Sequence, residues 1–249
     1  MKRYFCNAVS KSLVLVLSFL FLCSCSDSVA DNTSDNPKET DSKEVAGLDI
    51  TDKSDLVSIC YSVWFNNTYR PAYYNNTEIL AANPDKPLWG PVTAFHYWAE
   101  PAVGYYNSDN VDVIKTHLRQ LQEAKVDFII VDFTNGLAQM LLDDAEVLCN
   151  TALELRKAGE KTPGIVFWCQ NSEADRYSNG LKLYNLFYKP SRYDQLFVYW
   201  SGKPFLITTS DPTDAKNKTL SNYFTCRKMW GLQQTLASRE WAFLQEEPQ

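Results

Sequence analysis

The stretch Phe128-Ile129-Ile130-Val131-Asp132-Phe133 is a run of large apolar residues with a single carboxylate near its end. A strand with one face in solvent alternates apolar and polar residues, whereas a continuous apolar run is typical of a parallel strand buried on both faces. A second run of this kind extends from Gly164 to Trp168. The sequence therefore predicts a sheet whose central strands are parallel.

Segments with helical periodicity lie before and after the first of these strands. Their apolar stripes are Val111, Ile114, Leu118 and Leu121 in the earlier segment and Leu141, Ala145, Leu148, Ala152 and Leu155 in the later one. These spacings place each set on one helix face. Ser108 or Asn110 is expected to cap the first helix, and Lys157 with Gly159 is expected to end the second.

Further strands are expected at Leu56 to Phe65, from near Val92 through Trp98, at Phe197 to Trp200 and at Phe205 to Thr208. Alternation of strands and helices indicates an α/β fold with a parallel sheet, which a (β/α)₈ TIM-barrel-like fold and an open doubly wound sheet both satisfy. The chain has no GxGxxG or P-loop motif, which favours the barrel. The body of the chain, from about Gly47 onward, has roughly 200 residues. This is short for a complete barrel of about 250 residues, so we expect an incomplete one.

The amino terminus has the pattern of an export signal. Basic residues begin it, and the apolar run Leu13 to Leu22 is too short to span a bilayer, which takes about 20 residues. Leu22-Cys23-Ser24-Cys25 resembles a bacterial lipobox with Cys25 as the lipidated residue, and two acyl chains there would anchor the protein stably. We expect residues 1–25 to be a lipoprotein signal peptide and the protein to be an outer-membrane lipoprotein of the cell envelope, periplasmic or surface-exposed. An ordinary cleaved signal peptide is the alternative.

Residues 26–48 contain six acidic residues, one proline and no aromatic residue. Such a segment buries too little apolar surface to fold alone, so it is expected to be a flexible linker that joins the anchor to a globular domain at residues 49–249. Without the signal, 21 basic residues face 30 acidic ones, a net charge of −9. This charge argues against nucleic acid as a partner.

The cysteines of the globular domain show no metal-binding pattern. Cys60, Cys149, Cys169 and Cys226 lack CxxC spacing, and the whole chain contains two histidines. No metal site and no cofactor are therefore expected. The spacing leaves open whether these cysteines form disulfides or are buried free thiols.

Aromatic residues make up 14% of the chain, with seven Trp and 14 Tyr. Their rings suit carbohydrate sites, because ring faces stack on the C–H faces of sugars while phenol and indole tips make hydrogen bonds. The sequence thus points to a polysaccharide or oligosaccharide ligand.

Three segments resemble known enzymes. They are Val103 to Asp109, which reads VGYYNSD, then Ala124 to Asp132, and then Thr134-Asn135-Gly136. Their order resembles the early region of the (β/α)₈ glycoside hydrolases of families 71 and 99, which include endo-acting α-mannan enzymes and α-1,3-glucanases. The resemblance covers about Leu56 to Thr208. Lys125 departs from the usual glycine, and the paired glutamates of later family 99 strands have no counterpart.

The resemblance implies a glycoside hydrolase that cleaves with paired carboxylates, which lie about 5 to 9.5 Å apart in such enzymes. The predicted lipid on Cys25 would make this enzyme membrane-anchored. The candidate carboxylates are Asp132, Glu100 and Glu173, each expected at the carboxyl end of a strand, where barrel sites form. Capping of a helix or loop is the alternative role for each. The candidate sugar-binding residues are Tyr97, Trp98, Tyr105, Asn135, Trp168 and Trp200, with core packing as the alternative for the aromatic ones. A non-catalytic glycan-binding lipoprotein and an inactive truncated fragment remain alternative interpretations of the whole chain.

Overall fold

The computed structural model describes residues 47–66, 74–92, 94, 96–97, 100–171, 178–210, 218–231 and 240–243. These residues belong to one compact unit, Ser42–Gln249. The predicted signal with Cys25 and the predicted linker up to residue 46 lie outside the described residues, as do Trp98 and Glu173. No helix in the described ranges has the length and apolar character needed to cross a membrane.

The strands are β1 (Leu48–Asp49), β2 (Ser58–Tyr61), β3 (Tyr74–Asn75), β4 (His96–Tyr97), β5 (Phe128–Phe133), β6 (Gly164–Cys169), β7 (Val198–Trp200), β8 (Lys203–Thr208), β9 (Thr225–Gly231) and β10 (Glu240–Phe243). The helices are α1 (Asn76–Ala82), α2 (Val111–Glu123), α3 (Gln139–Lys157), α4 (Ser178–Leu183) and α5 (Lys218–Tyr223), with a π-helical turn at Tyr184–Tyr188 and a 3₁₀ turn at Asp194–Leu196.

Six strands form a parallel row in the order β2-β5-β6-β8-β9-β10. Each strand pairs with the next one of the row along the chain, as in a barrel, whereas a doubly wound sheet reverses its strand order at a switch point. The predicted α/β, barrel-like parallel sheet is therefore confirmed. Where a complete (β/α)₈ barrel has eight strands, this row has six in the part of the chain that the structure describes.

The predicted strand from Val92 to Trp98 was wrong in both extent and place. Within the described residues only His96–Tyr97 is extended, and it pairs with β3 in a separate two-stranded sheet. Both ring nitrogens of His96 lie against backbone carbonyls of its own loop, Trp89 and Ala94. These contacts hold the segment in a local ribbon. The strand Phe128–Phe133 is accordingly the neighbour of β2, not the third strand of the row.

A small substructure packs against the amino ends of the row. β7 and β8 form a hairpin through Ser201 and Gly202, which both have positive φ, as a tight type I′ turn requires. β1 pairs with β7, and the amide of Leu48 donates to the carbonyl of Phe197 at 3.0 Å. A Cβ added to Gly47 would overlap that same carbonyl, so the chain enters the body through a gap that only glycine fits.

Two apolar layers lie on either side of the row. On one side the strands pack against α2 and α3 through residues that include Ile129, Val131, Ile165, Phe167, Leu118 and Leu148. On the other, inward side they pack against each other through Phe128, Ile130, Val166, Trp168, Phe205 and Ile207. Residues of a strand alternate between these layers, because successive side chains point to opposite faces.

The predicted helix cap and the state of the cysteines are resolved. The Asn110 side chain accepts hydrogen bonds from the amides of Asp112 and Val113, at 3.1 and 3.2 Å, and caps α2. The cysteines of the body, Cys60, Cys149, Cys169 and Cys226, are free thiols, three of them buried. Burial raises the pKa of the Cys226 thiol to about 12, so it stays uncharged at neutral pH.

Lys125 follows the end of α2 and has a left-handed backbone conformation, which is unfavourable for a residue with a side chain. Its φ is +59°, while the amide of Val126 donates to the carbonyl of Leu121 and that of Lys125 to Gln122, at 3.0 and 3.1 Å. This is a Schellman ending, which usually has glycine at the position of Lys125. Lys125 thus occupies a backbone position at which glycine is usual.

We expect Lys125→Gly to raise the free energy of unfolding by about 1 kcal/mol, because a side chain in the left-handed region costs about that much. Thermal and urea unfolding would measure the change. Lys125→Ala is the matched control, since it removes the charge and keeps the strain. An equal gain in both variants would trace the effect to the charge instead of the backbone.

Candidate functional site

Asp132 lies near the carboxyl end of β5, in a row of inward-facing side chains that crosses the sheet. The register aligns it with Trp168 on β6, which is aligned in turn with Ile207 on β8 and Arg227 on β9. Asp132 shares its face of β5 with Phe128 and Ile130, because these positions are two residues apart. Its half-buried carboxylate is therefore the polar member of β5 on the inward side.

Local contacts hold Asp132 in place. Its Oδ1 accepts a hydrogen bond from the amide of Thr134 at 2.7 Å, and its backbone carbonyl accepts one from the indole of Trp64 at 3.1 Å. The Cys60 thiol is nearby, and its pKa is raised to about 11, first by burial and then by the negative charge of Asp132. The Asp132 carboxylate thus already stabilises the turn that follows β5.

A group of rings, here called the aromatic wall, consists of Phe65, Tyr97, Tyr105 and Tyr106. Ring centroids lie 5.9 Å apart for Phe65 and Tyr97, 5.4 Å for Tyr97 and Tyr105, and 6.1 Å for Phe65 and Tyr106. Phe65 follows β2 directly after Trp64, the residue that contacts Asp132. The aromatic wall therefore stands at the same end of the sheet as Asp132.

A buried serine fastens the aromatic wall to the sheet. The amide of Phe65 donates to the Ser108 hydroxyl at 3.0 Å, and the amide of Ser108 donates to the Phe65 carbonyl at 2.5 Å. Ser108 is 7% exposed. This pair of bonds ties the loop before α2, which carries Tyr105 and Tyr106, to the segment that extends β2.

Glu100 lies beside the aromatic wall and not at the end of a strand of the parallel row. Its exposed side chain lies near Gly104, where an added Cβ would be 3.7 Å from Oε1. The pKa of Tyr105 is raised by burial and next by the negative charges of Glu100 and Glu78. Glu100 and Asp132 therefore approach the carboxyl ends of the strands from different parts of the fold.

The remaining described candidates lie in different places. Tyr97 and Tyr105 belong to the aromatic wall, and Asn135 is exposed in the loop after β5. Trp168 is 5% exposed, and its indole donates to the Met229 carbonyl at 3.2 Å, so its ring is part of the inward core. The structure brings Asp132, Asn135 and the two tyrosines to one end of the sheet, and their contact with a sugar stays a prediction.

Trp200 lies at the opposite end of the strands. It pairs with Lys203, the first residue of β8, and its ring packs 5.4 Å from Phe205. The Arg227 guanidinium lies 4.0 Å from the centre of the Trp200 ring, a cation–π arrangement. The structure thus does not bring Trp200 together with Asp132.

Asp144 is a residue that the sequence did not single out. It lies on α3 and is 2% exposed, its Oδ1 accepts from the Asn66 amide at 3.4 Å, and its Oδ2 has no partner among the described residues. Burial, followed by the charge of Asp109, raises its pKa to about 6. Its neighbour Ala145 belongs to the apolar stripe of α3. This adjacency is the one feature of the sequence that could have indicated the burial of Asp144.

A cleft of about 700 Å³ opens at the amino ends of the strands, away from Asp132. Its lining includes Lys125, Asp127, Glu160 and Arg156. The Arg156 guanidinium already donates to the Thr162 hydroxyl at 2.8 Å and to the carbonyls of Thr162 and Pro163. The Arg156 side chain in this cleft is therefore already bonded within the fold. Across the described ranges, no group of three or more His, Cys, Asp or Glu side chains is arranged to hold a metal ion.

Comparison with known proteins gives similarity to solved structures alone. No family model and no curated protein matches this chain. The GH99 endo-alpha-mannosidase from Bacteroides thetaiotaomicron in complex with bis-tris-propane is 15% identical, with 66% of this chain and 43% of that chain covered and a TM-score of 0.40. A second structure of that enzyme is also 15% identical, with 64% of this chain and 45% of that chain covered and a TM-score of 0.39. The chain spans less than half the length of these structures, and its relation to families 71 and 99 stays a prediction.

We expect Asp144→Asn to stabilise the protein at high pH more than at low pH. The folded-state pKa of about 6 exceeds the ordinary 3.8, so the free energy of unfolding falls as pH rises from about 4 through about 6. Two pKa units correspond to at most about 3 kcal/mol. Thermal unfolding of both proteins at pH 4 and pH 8 would measure the difference.

Asp143→Asn is the matched control, because Asp143 is exposed and pairs with Gln139 on the same helix. It should change the melting temperature little at either pH. A gain for Asp144→Asn that is the same at pH 4 and pH 8 would show that ionisation of Asp144 does not oppose folding.

Proposed function

We propose that this protein binds a polysaccharide or oligosaccharide at the carboxyl ends of its parallel strands and acts there as a glycoside hydrolase. The observation that carries the proposal is the placement of the Asp132 carboxylate and the aromatic wall at the same end of the sheet. Barrel-like folds form their sites at this end, where the loops after successive strands meet.

The chemistry of the two parts suits a sugar. The half-buried rings of Tyr97 and Tyr105 offer apolar surface to the C–H faces of a sugar. The Asp132 carboxylate can accept hydrogen bonds from sugar hydroxyl groups. Its Oδ1 is already held by the Thr134 amide, and the backbone carbonyl of Asp132 is held by the Trp64 indole. Little side-chain freedom is then lost when a ligand binds.

For hydrolysis, Asp132 would act with a second carboxyl group, either Glu100 beside the aromatic wall or Glu173, which follows β6 along the chain. One group protonates the leaving oxygen, and the other is the nucleophile or activates water. A separation of about 5 Å would give retention of configuration and one of about 6.5 to 9.5 Å inversion. The resemblance of Val103 to Asp109 and of Thr134 to Gly136 to families 71 and 99 supports this reaction.

A non-catalytic glycan-binding protein is the second candidate. The observation that favours it is the bond from the Thr134 amide to Asp132 Oδ1, because a carboxylate that stabilises its own turn needs no catalytic role to explain it. Glu100 likewise follows the ribbon along the chain and is not part of the parallel row. Binding without turnover would identify this function.

The decisive variant is Asp132→Asn. We expect it to weaken binding of α-mannan or α-glucan oligosaccharides by about tenfold, since a hydrogen bond to a charged group contributes about 1.5 to 3 kcal/mol. Calorimetric titration would measure affinity, and an assay for new reducing ends would measure hydrolysis. Hydrolysis should fall to background in the variant.

Asp127→Asn is the matched control, because Asp127 accepts from the Val57 amide at the amino end of the same strand. Its variant should bind sugar as the unaltered protein does. If Asp132→Asn leaves affinity, turnover and melting temperature unchanged, Asp132 has no role in the site. Binding by the unaltered protein without new reducing ends would refute hydrolysis and support the second candidate.

We also propose that the protein is held on the outer membrane through a lipid on Cys25, because Leu22-Cys23-Ser24-Cys25 follows an apolar run of signal length. Labelling of bacterial cells with radioactive palmitate should mark the protein and should no longer mark Cys25→Ala. Cys23→Ala is the matched control and should keep the label. If the label persists in Cys25→Ala and disappears in Cys23→Ala, the lipid is on Cys23 and the proposal for Cys25 is wrong.

A further inference from the structure

The ribbon of β3 and β4 has two faces with different neighbours. Tyr74 pairs with His96 and Asn75 with Tyr97. Because neighbouring residues of a strand point to opposite faces, Tyr97 faces the aromatic wall, where it contacts Tyr105. Tyr74 and His96 lie on the other face, with ring centroids 5.4 Å apart.

The second face supports a projecting loop, here called the tip, formed by Leu88, Trp89 and Val92. Leu88 is 87% exposed, Val92 is 92% exposed and the large indole of Trp89 is 43% exposed. Large apolar side chains with this exposure that follow each other along one loop indicate a contact surface, whereas single exposed apolar residues need no explanation.

The tip is held in one conformation by contacts beneath it. His96 Nε2 lies 2.6 Å from the Trp89 carbonyl, and Nδ1 lies 2.8 Å from that of Ala94. The Trp89 and His96 rings meet edge to face at 5.9 Å. Gly90 has a φ of +78°, and a Cβ there would overlap the Tyr74 ring. The indole is therefore presented in a fixed place, which lowers the entropy lost on binding.

We propose that the tip is a second carbohydrate-contact surface, which holds a neutral polysaccharide chain by stacking on Trp89 outside the site at Asp132. The ribbon connects the two surfaces, since its opposite face carries Tyr97 of the aromatic wall. This inference rests on the proposed function for its ligand class. It adds that long chains bind more tightly than short oligosaccharides, because they reach both surfaces.

Charge argues for a neutral sugar over an anionic partner. Residues 74–107 contain Glu78, Asp85 and Glu100 against one basic residue, Lys86. Anionic lipid surfaces and nucleic acids require clustered basic residues, which this segment lacks. A neutral sugar tolerates an acidic surface and uses the exposed indole and its aliphatic neighbours directly.

The test compares Trp89→Ala with Trp230→Ala, because Trp230 on β9 is 50% exposed and thus loses a comparable indole. Retention of the full chain in native gels that contain α-mannan or α-glucan would measure polysaccharide binding. We expect Trp89→Ala to weaken it about tenfold, as truncation of a central tryptophan commonly does, with Trp230→Ala unchanged. Trp89→Phe should keep part of the affinity, and circular dichroism would verify folding of each variant.

Short oligosaccharides separate this inference from the proposed function. Trp89→Ala should bind them at the site of Asp132 as the unaltered protein does. If the unaltered protein binds no short sugar yet Trp89 still governs retention, the proposed function fails and the tip remains a sugar surface. Equal retention of Trp89→Ala and the unaltered protein overturns the inference.

The same variants also test two other partners for the tip, a membrane and a second copy of the chain. Vesicles of phosphatidylcholine with phosphatidylglycerol should not sediment the protein, and sedimentation that disappears in Trp89→Ala would assign the tip to a membrane. Light scattering should show no association that depends on Trp89. Loss of self-association in Trp89→Ala would assign the tip to a second copy of the chain and would likewise overturn the proposal.

Discussion

The pairing of β5 with β6 is the interaction on which the rest of the structure depends. Six residues of each strand align in parallel register, from Phe128 with Gly164 to Phe133 with Cys169. Both strands are buried along nearly their whole length, so apolar layers must cover both faces. The helices supply one layer, and the inward side chains of neighbouring strands supply the other. This arrangement sets Asp132 at the edge of the inward layer.

Much of this framework follows from the sequence, because buried parallel strands and amphipathic helices leave strong periodic patterns. Phe128 to Phe133 is a strand as expected, and the stripe from Leu141 to Leu155 is the buried side of α3. The ribbon was harder to foresee. His96 lies in a run that looks like a barrel strand, and only the contacts of both its ring nitrogens with nearby carbonyls reveal a local turn.

The positions of the candidate site residues in the fold were foreseen in part for a similar reason. A carboxylate at the end of a buried strand is visible in sequence, which is why Asp132 is found where it was expected. Trp200 and Trp168 illustrate the limit, since an aromatic residue in an apolar run can face a core or an opening. Asp144 shows the converse, because its burial depends on Asn66 from a distant segment and therefore leaves no local pattern.

The narrow passage at Gly47 has a practical consequence for handling the molecule. The backbone joins the body where the strands begin, against Phe197 and the start of β1. The start of the described chain therefore lies on the side of the sheet remote from Asp132, and a group attached at this point would leave the opposite rim open to solvent.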